Sequence, residues 1–415
     1  MNNLTGLDRD RLRDLFDLRK SFMAQMGGAY EDDPNPTWRR LRQQAPVHEG
    51  TVHELSGCQQ ALFFHGLPEA DRPHFSAFTF DACDEAYRNP ATFASSPDVI
   101  DLGRDLALTN SMLSMGGAEH RRYRGLVQPA FVPAKAEWWI RNWIDRTVDP
   151  LIDGLKDDGR AELNTDFCAA IPVLTITGSF GVAVEQALEI RAALQNPERI
   201  VAMLTPIVAA RREVPQDDLI SILVEAELSD TDGVTHRLSD PEIYSFALLL
   251  LAAGSGTTWK QMGITLAALL ARPDMLQAIK VDHQLLRPAI EESLRWSPTD
   301  PMFSRWVTED LDFHGTRIPK GSVVHLCLGS ANRDPARWEH PDEYDIYRTM
   351  KPSLAFGGGP HICLGMHLAR AEMTVGIARL LDRLPNLRLD PEAETPRIIG
   401  FYERGAMEIP VVWDR

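Results

Sequence analysis

The stretch FGGGPHICLG, residues 356–365, is where the reading of this chain starts. Four glycines and a proline crowd around Cys363, and an Ala- and Leu-rich segment follows directly. That pattern predicts a tight loop delivering Cys363 to the start of a helix. Glycine accepts positive φ and lets a backbone approach a bulky partner closely. A helix N-terminus adds about half a positive charge, and its free N–H groups favour a thiolate over a thiol. One reading is a single-cysteine metal ligand, held as thiolate under a large flat cofactor. The other is a glycine-rich turn before a helix that carries an ordinary buried cysteine, since free cysteine often packs as a small core residue.

The spacing favours the first reading. Phe356, Gly359, Cys363 and Gly365 fit F-x-x-G-x-x-x-C-x-G, and His361 fills the position often written as His or Arg. This motif resembles the haem-binding loop of the cytochromes P450. The resemblance implies a mainly α fold with a smaller β region around one haem b. It implies Cys363 as the axial iron ligand, with Phe356, Gly357, His361 and Gly365 among the cofactor contacts. A single domain over residues 1–415 is expected, because no linker, repeat or low-complexity tract divides the chain. A chain of this length can bury one sizeable core.

Composition narrows the alternatives. Lys and Arg number 43 against 59 Asp and Glu, a net charge of −16, which argues against a nucleic-acid partner. The five cysteines are odd in number and contain no C-x-x-C pair. That pattern fits neither a disulfide framework nor a zinc site and suits a reducing compartment. The N-terminus reads as carrying no signal peptide or membrane anchor. Leu4, Leu7, Leu12, Leu15 and Phe16 alternate with Asp and Arg, predicting a solvated amphipathic helix. The longest apolar run, residues 246–253, is too short to span a bilayer. The expectation is a cytoplasmic protein of the soluble, bacterial P450 type.

Along the chain, HFSAFTF (residues 74–80) alternates like a strand and leads into a helix, while the insert over residues 52–72 has no functional reading. His120 and Arg124 lie four apart, on one face of a predicted helix. They resemble the pair with which P450s hold haem propionates; a solvated basic face is the plainer reading. Trp138, Trp139 and Trp143 read as core. Only about thirty residues separate Gly181 from Arg211, so the lid that P450s build over the substrate site, here about residues 181–215, should be short.

A long central helix is expected over about residues 240–271. Its start carries Ser239 and Glu242 as a capping box, with Pro241 in the first turn. Its middle reads Ala253-Gly254-Ser255-Gly256-Thr257-Thr258. Each interior glycine costs about 1 kcal/mol against alanine. Either a flat cofactor approaches the helix here, or another helix packs closely. The segment resembles the P450 distal helix, A-G-x-[D/E]-T-[T/S], which implies catalytic roles for Gly254, Gly256 and Thr257 and a cofactor contact at Ala253. Thr257 matches the alcohol at the oxygen site. Gly256 stands where the family has an acid, so the proton-donating carboxyl is missing there.

Glu292 and Arg295 form E-x-x-R, and Arg348 is the third arm that the resemblance implies for a structural ion-pair anchor. Arg305 resembles the residue that meets a propionate. Leu250, Thr299, Asp300, Pro301, Met302 and Phe303 are expected at the substrate pocket, with Tyr402 and Glu403 at the tip of a final hairpin. The resemblance implies monooxygenation of a small, largely apolar organic substrate: hydroxylation or oxidative O-demethylation. O₂ would be the oxidant, with electrons from NAD(P)H through a reductase and a ferredoxin-type donor. Two alternatives stand beside it: an H₂O₂-driven peroxygenase, suggested by Gly256, and a non-catalytic haem-thiolate sensor.

Overall fold

The structure, a computed structural model, describes residues 8–58, 62, 72–95, 112–229, 233 and 235–415. Leu4, Leu7 and most of the insert after Cys58 lie outside the described residues.

The central helix begins where the sequence places it. Ser239 N–H donates to the Glu242 carboxylate at 2.8 Å, and the helix runs Asp240–Gly256. Its continuation, Thr258–Leu270, is buried at every position. A helix apolar on all sides belongs inside a core. The expected single helix is divided, however, at Thr257. Gly254 and Gly256 weaken this turn, and two hydroxyls bond back onto it. Ser255 Oγ donates to the Leu251 carbonyl at 2.6 Å, and Thr257 Oγ1 to that of Ala253 at 3.2 Å.

Helix Ala170–Ser179 packs on the first half of the central helix, and Met366–Arg383, which follows the cysteine loop, packs on the second half. These elements share one large apolar cluster. The β region is smaller. Its main sheet has five strands in the order Val47–Glu49, His74–Ala77, Val323–Cys327, Met302–Val307 and Phe93–Ala94. His74–Ala77 pairs parallel with Val323–Cys327, and the other pairings are antiparallel. The alternating run thus ends as a strand at Ala77, and Thr79 caps the helix Phe80–Arg88.

The segment expected as a lid forms two helices, Val184–Ala192 and Pro197–Glu213, joined by four residues. It is roofed in part by the N-terminal segment. Helix Arg9–Leu15 packs on Val184–Ala192, and Leu12 and Phe16 are fully buried. Phe16 meets Trp259 edge-on at 5.4 Å. The solvated amphipathic helix expected here is therefore docked by its apolar face.

Candidate active site

The cysteine loop is closed by the Cys363 amide, which donates to the Phe356 carbonyl at 2.9 Å. Its glycines answer to Tyr87. Gly359 has φ +63°, and a Cβ there would lie 2.0 Å from the Tyr87 carbonyl oxygen. Gly357 has φ +70° and faces the Tyr87 ring. Their close partner is thus a protein helix. Gly365 differs, for a Cβ there would meet nothing within 4 Å.

Cys58, Cys83, Cys168 and Cys327 are buried, whereas Cys363 is exposed. Its thiol is accessible yet deeply set. Desolvation by surrounding protein pushes it up from its ordinary pKa, while the Gly365 N–H and the charges of Arg124 and Arg370 pull it down. The helix Met366–Arg383 starts just beyond it, and the Arg370 guanidinium lies over the Phe356 ring at 4.7 Å.

The cationic residues read from the sequence converge here. Arg124 Nη2 donates to the Ile362 carbonyl at 2.7 Å, one residue before Cys363. His120 is buried and stacks on His361 at 3.8 Å between ring centroids. Its pKa is lowered by burial and by the neighbouring Arg124 and Arg121. His361 Nε2 is 2.7 Å from Ser95 Oγ. Arg305, on strand Met302–Val307, is buried over the Tyr87 ring at 4.7 Å and, among the described residues, donates to the Ser304 carbonyl. Among the described residues neither Arg124 nor Arg305 has a carboxylate partner, and burial lowers the pKa of both. A desolvated guanidinium without an anionic partner among the described residues favours an anionic ligand.

The central helix presents an accessible stripe, with Leu249, Gly256 and Thr257 half-buried and Ala253 exposed. Gly254 is placed otherwise. Its missing side chain is filled by Ile176, whose Cγ1 would lie 2.9 Å from a Cβ, so its small size serves helix packing.

The expected substrate pocket is divided. Met302 and Tyr402 are fully buried in a cluster with Trp38, Leu41 and Phe401, leaving no surface for a ligand. Tyr402 Oη is 2.8 Å from His53 Nδ1. These two are core residues, a correction that follows from strand alternation at Met302 and from the docked N-terminal segment at Tyr402. The Thr299 hydroxyl is committed to the Arg404 carbonyl at 2.8 Å. Leu250 is nearly buried, and Phe303 is half-buried. Glu403 accepts from Lys260 Nζ at 2.7 Å, and Asp300 lies 3.6 Å from the same nitrogen. Burial raises the Asp300 carboxyl, whose charge is close enough to act on Cys363.

Glu292, Arg295 and Arg348 meet in one cluster. Arg295 grips Glu292 with two bonds, at 2.7 and 2.8 Å, and Arg348 Nε reaches the same carboxylate at 2.9 Å. Three further groups were not foreseen: Arg191, Lys260 and Glu372. Lys260 interrupts an otherwise largely apolar helix, a signal the sequence does carry, whereas Glu372 lies in a helix with several other charged residues. Arg191 lies in EIRAAL, which reads like any surface helix.

A sequence model described as cytochrome P450 matches residues 188–400. The chain belongs to the cytochrome P450 family. PikC, a P450 monooxygenase of Streptomyces venezuelae, is 31% identical, with 95% of this chain and 94% of that protein covered. Cytochrome P450 107B1 of Saccharopolyspora erythraea is 35% identical over 72% of this chain and 76% of its own length. Among solved structures, P450BioI in complex with an acyl carrier protein ligated to hexadec-9Z-enoic acid has a TM-score of 0.77 at 27% identity, with 92% and 99% covered. The protein is a haem-thiolate monooxygenase of mainly α fold. Among the described residues, no single helix is long and apolar enough to cross a membrane.

Proposed function

We propose that Cys363 is the axial ligand of a haem b, and that the enzyme inserts one oxygen atom into a small, largely apolar organic substrate. The observation that carries this reading is the pairing of one exposed cysteine with two guanidiniums, half-buried Arg124 and buried Arg305, that have no carboxylate among the described residues. Arg124 and Arg305, with His120, suit the two propionates. A haem attached covalently through C-x-x-C-H is excluded by the cysteine spacing, which favours haem b. When bound, haem supplies oxygen activation, and a thiolate ligand favours O–O cleavage.

The chain's own residues do the rest. The Gly365 N–H and the helix start beyond it stabilise the thiolate. Phe356 and Arg370 screen the loop from one side. Thr257, at the helix break, holds its hydroxyl proton on the Ala253 carbonyl at 3.2 Å, a weak bond that a ligand can replace. Leu249 and Ala253 offer an apolar wall. An electron donor of ferredoxin type, fed by NAD(P)H, would dock on the side of Cys363. The free cysteines suit a cytoplasmic location. Reduced protein with CO is expected to show the long-wavelength Soret band for which the family is named. Cys363→Ala should abolish that band; its persistence would refute the ligand assignment.

A second reading is favoured by Gly256, which carries no proton. Peroxide brings its own protons to the site, so H₂O₂ is the alternative oxidant. The comparison is product formed with H₂O₂ against product formed with NADH and a redox chain. Negligible peroxide turnover, together with loss of the NADH route in Gly256→Glu, would rule out the peroxygenase.

A further inference from the structure

Arg191 lies in the last turn of the lid helix Val184–Ala192, and its guanidinium points inward at the break of the central helix. Its contacts are complete among the described residues, and none is anionic. Nη1 is 3.4 Å from Ser255 Oγ, a hydroxyl already donating to Leu251. Nη2 is 3.9 Å from the Met23 sulfur, and the group lies 4.8 Å from the centre of the Phe16 ring. Three other inward arginines are treated differently. Arg295, Arg348 and Arg211 each hold a carboxylate at 2.6–2.9 Å.

Desolvation lowers the Arg191 pKa to about 10, so the group is still a cation at neutral pH. Glu403 acts on it only through space, being bonded to Lys260 at 2.7 Å. A desolvated cation without an anion is costly unless a ligand completes it. The adjoining position is informative. A Cβ on Gly256 would lie 3.5 Å from Arg191 Nη1, so an acidic side chain there would pair with the guanidinium. Glycine leaves that space open, one residue from Thr257.

We propose that Arg191 anchors a carboxylate of the substrate in the space beside Gly256, and that the enzyme's substrates are apolar carboxylic acids. The apolar remainder lies along Leu249 and Ala253, on the accessible stripe of the central helix. The net charge of −16 gives the protein no general attraction for anions, so selection rests on this one guanidinium. The proposal rests on the haem-thiolate reading and names the substrate class for that site.

The test titrates the Soret spin-state change of the purified holoenzyme, and the heat of binding, with butyrate, octanoate, dodecanoate and phenylacetate. The methyl ester of each acid serves as its neutral control. The preferred acid is expected to bind at least about tenfold more tightly than its ester, as a charge-assisted hydrogen bond would give. Arg191→Gln should remove that preference while leaving the ester unchanged, and Arg191→Lys should retain part of it. Gly256→Glu should weaken the acid alone, because the new carboxylate takes the guanidinium. Equal binding of acid and ester, no binding by any acid of the panel, or equal weakening of both by Arg191→Gln overturns the proposal. The CO band of Arg191→Gln reports on the haem-thiolate reading separately: it should persist, whereas its absence from the wild type would reject that reading instead.

Discussion

Single residues here carry burdens that their neighbours impose. Gly359 is glycine because Tyr87 leaves no room for a Cβ, and Tyr87 also carries Arg305 over its ring. Loop, helix and guanidinium are thereby fixed to one another. Glu372 is the clearest titratable case. It is buried at 2% exposure on the helix after the loop. Burial pushes its carboxyl up from 4.5 to about 8, and the hydroxyls of Thr175 and Thr258 pull it only part of the way back. The folded state therefore keeps a proton that the unfolded chain releases. Stability linked to this group is full below about 4.5 and declines as the pH rises through about 8. The loss expected is on the order of a few kcal/mol. Glu372→Gln, which resembles the protonated acid, should flatten that part of the urea-denaturation profile. An unchanged slope between those pH values would show that Glu372 is already ionised in the fold.

At the scale of elements, the central helix joins two jobs at one turn. Gly254 faces Ile176 and brings helix Ala170–Ser179 close, while Ala253, Gly256 and Thr257 belong to the accessible stripe. Gly254→Leu is expected to cost about 1–3 kcal/mol by overpacking. Ile176→Ala in the same chain should recover part of that loss in thermal denaturation. If the cost is the same with and without Ile176→Ala, Gly254 is not a packing residue. The helix was legible from its capping box and apolar run. Its division at Thr257 was not, because both halves keep the same periodicity and only the hydroxyl back-bonding reveals the break.

Across the whole molecule, ion pairs fix the segment that leads into the cysteine loop. Glu292 serves two guanidiniums at once and also accepts from the Asp345 amide at 3.0 Å. Glu292→Gln would leave both arginines buried without their charge partner, at an expected cost of about 3–5 kcal/mol. The urea midpoint and the haem content of the purified protein should fall together. A near-neutral result would mean that the backbone carbonyls around Arg295 and Arg348 suffice.

The sequence by itself determined the parts of this P450 whose chemistry is local. F-x-x-G-x-x-x-C-x-G, the capping box, E-x-x-R and the paired His120 and Arg124 all lie within a few residues of their partners or on one helical face. The loop motif and the capping box needed no knowledge of where the chain goes next, whereas E-x-x-R and the pair His120 and Arg124 took their reading from the cysteine loop. Tertiary structure alone decided the rest, because distant segments had to meet. It placed Met302 and Tyr402 in the core beside Trp38, and docked Phe16 on Trp259. It also turned Arg191, anonymous in its own helix, onto Gly256. FGGGPHICLG pointed to the proposed haem side of the site; the Arg191 guanidinium was brought to the central helix by the packing of a helix some sixty residues away in sequence.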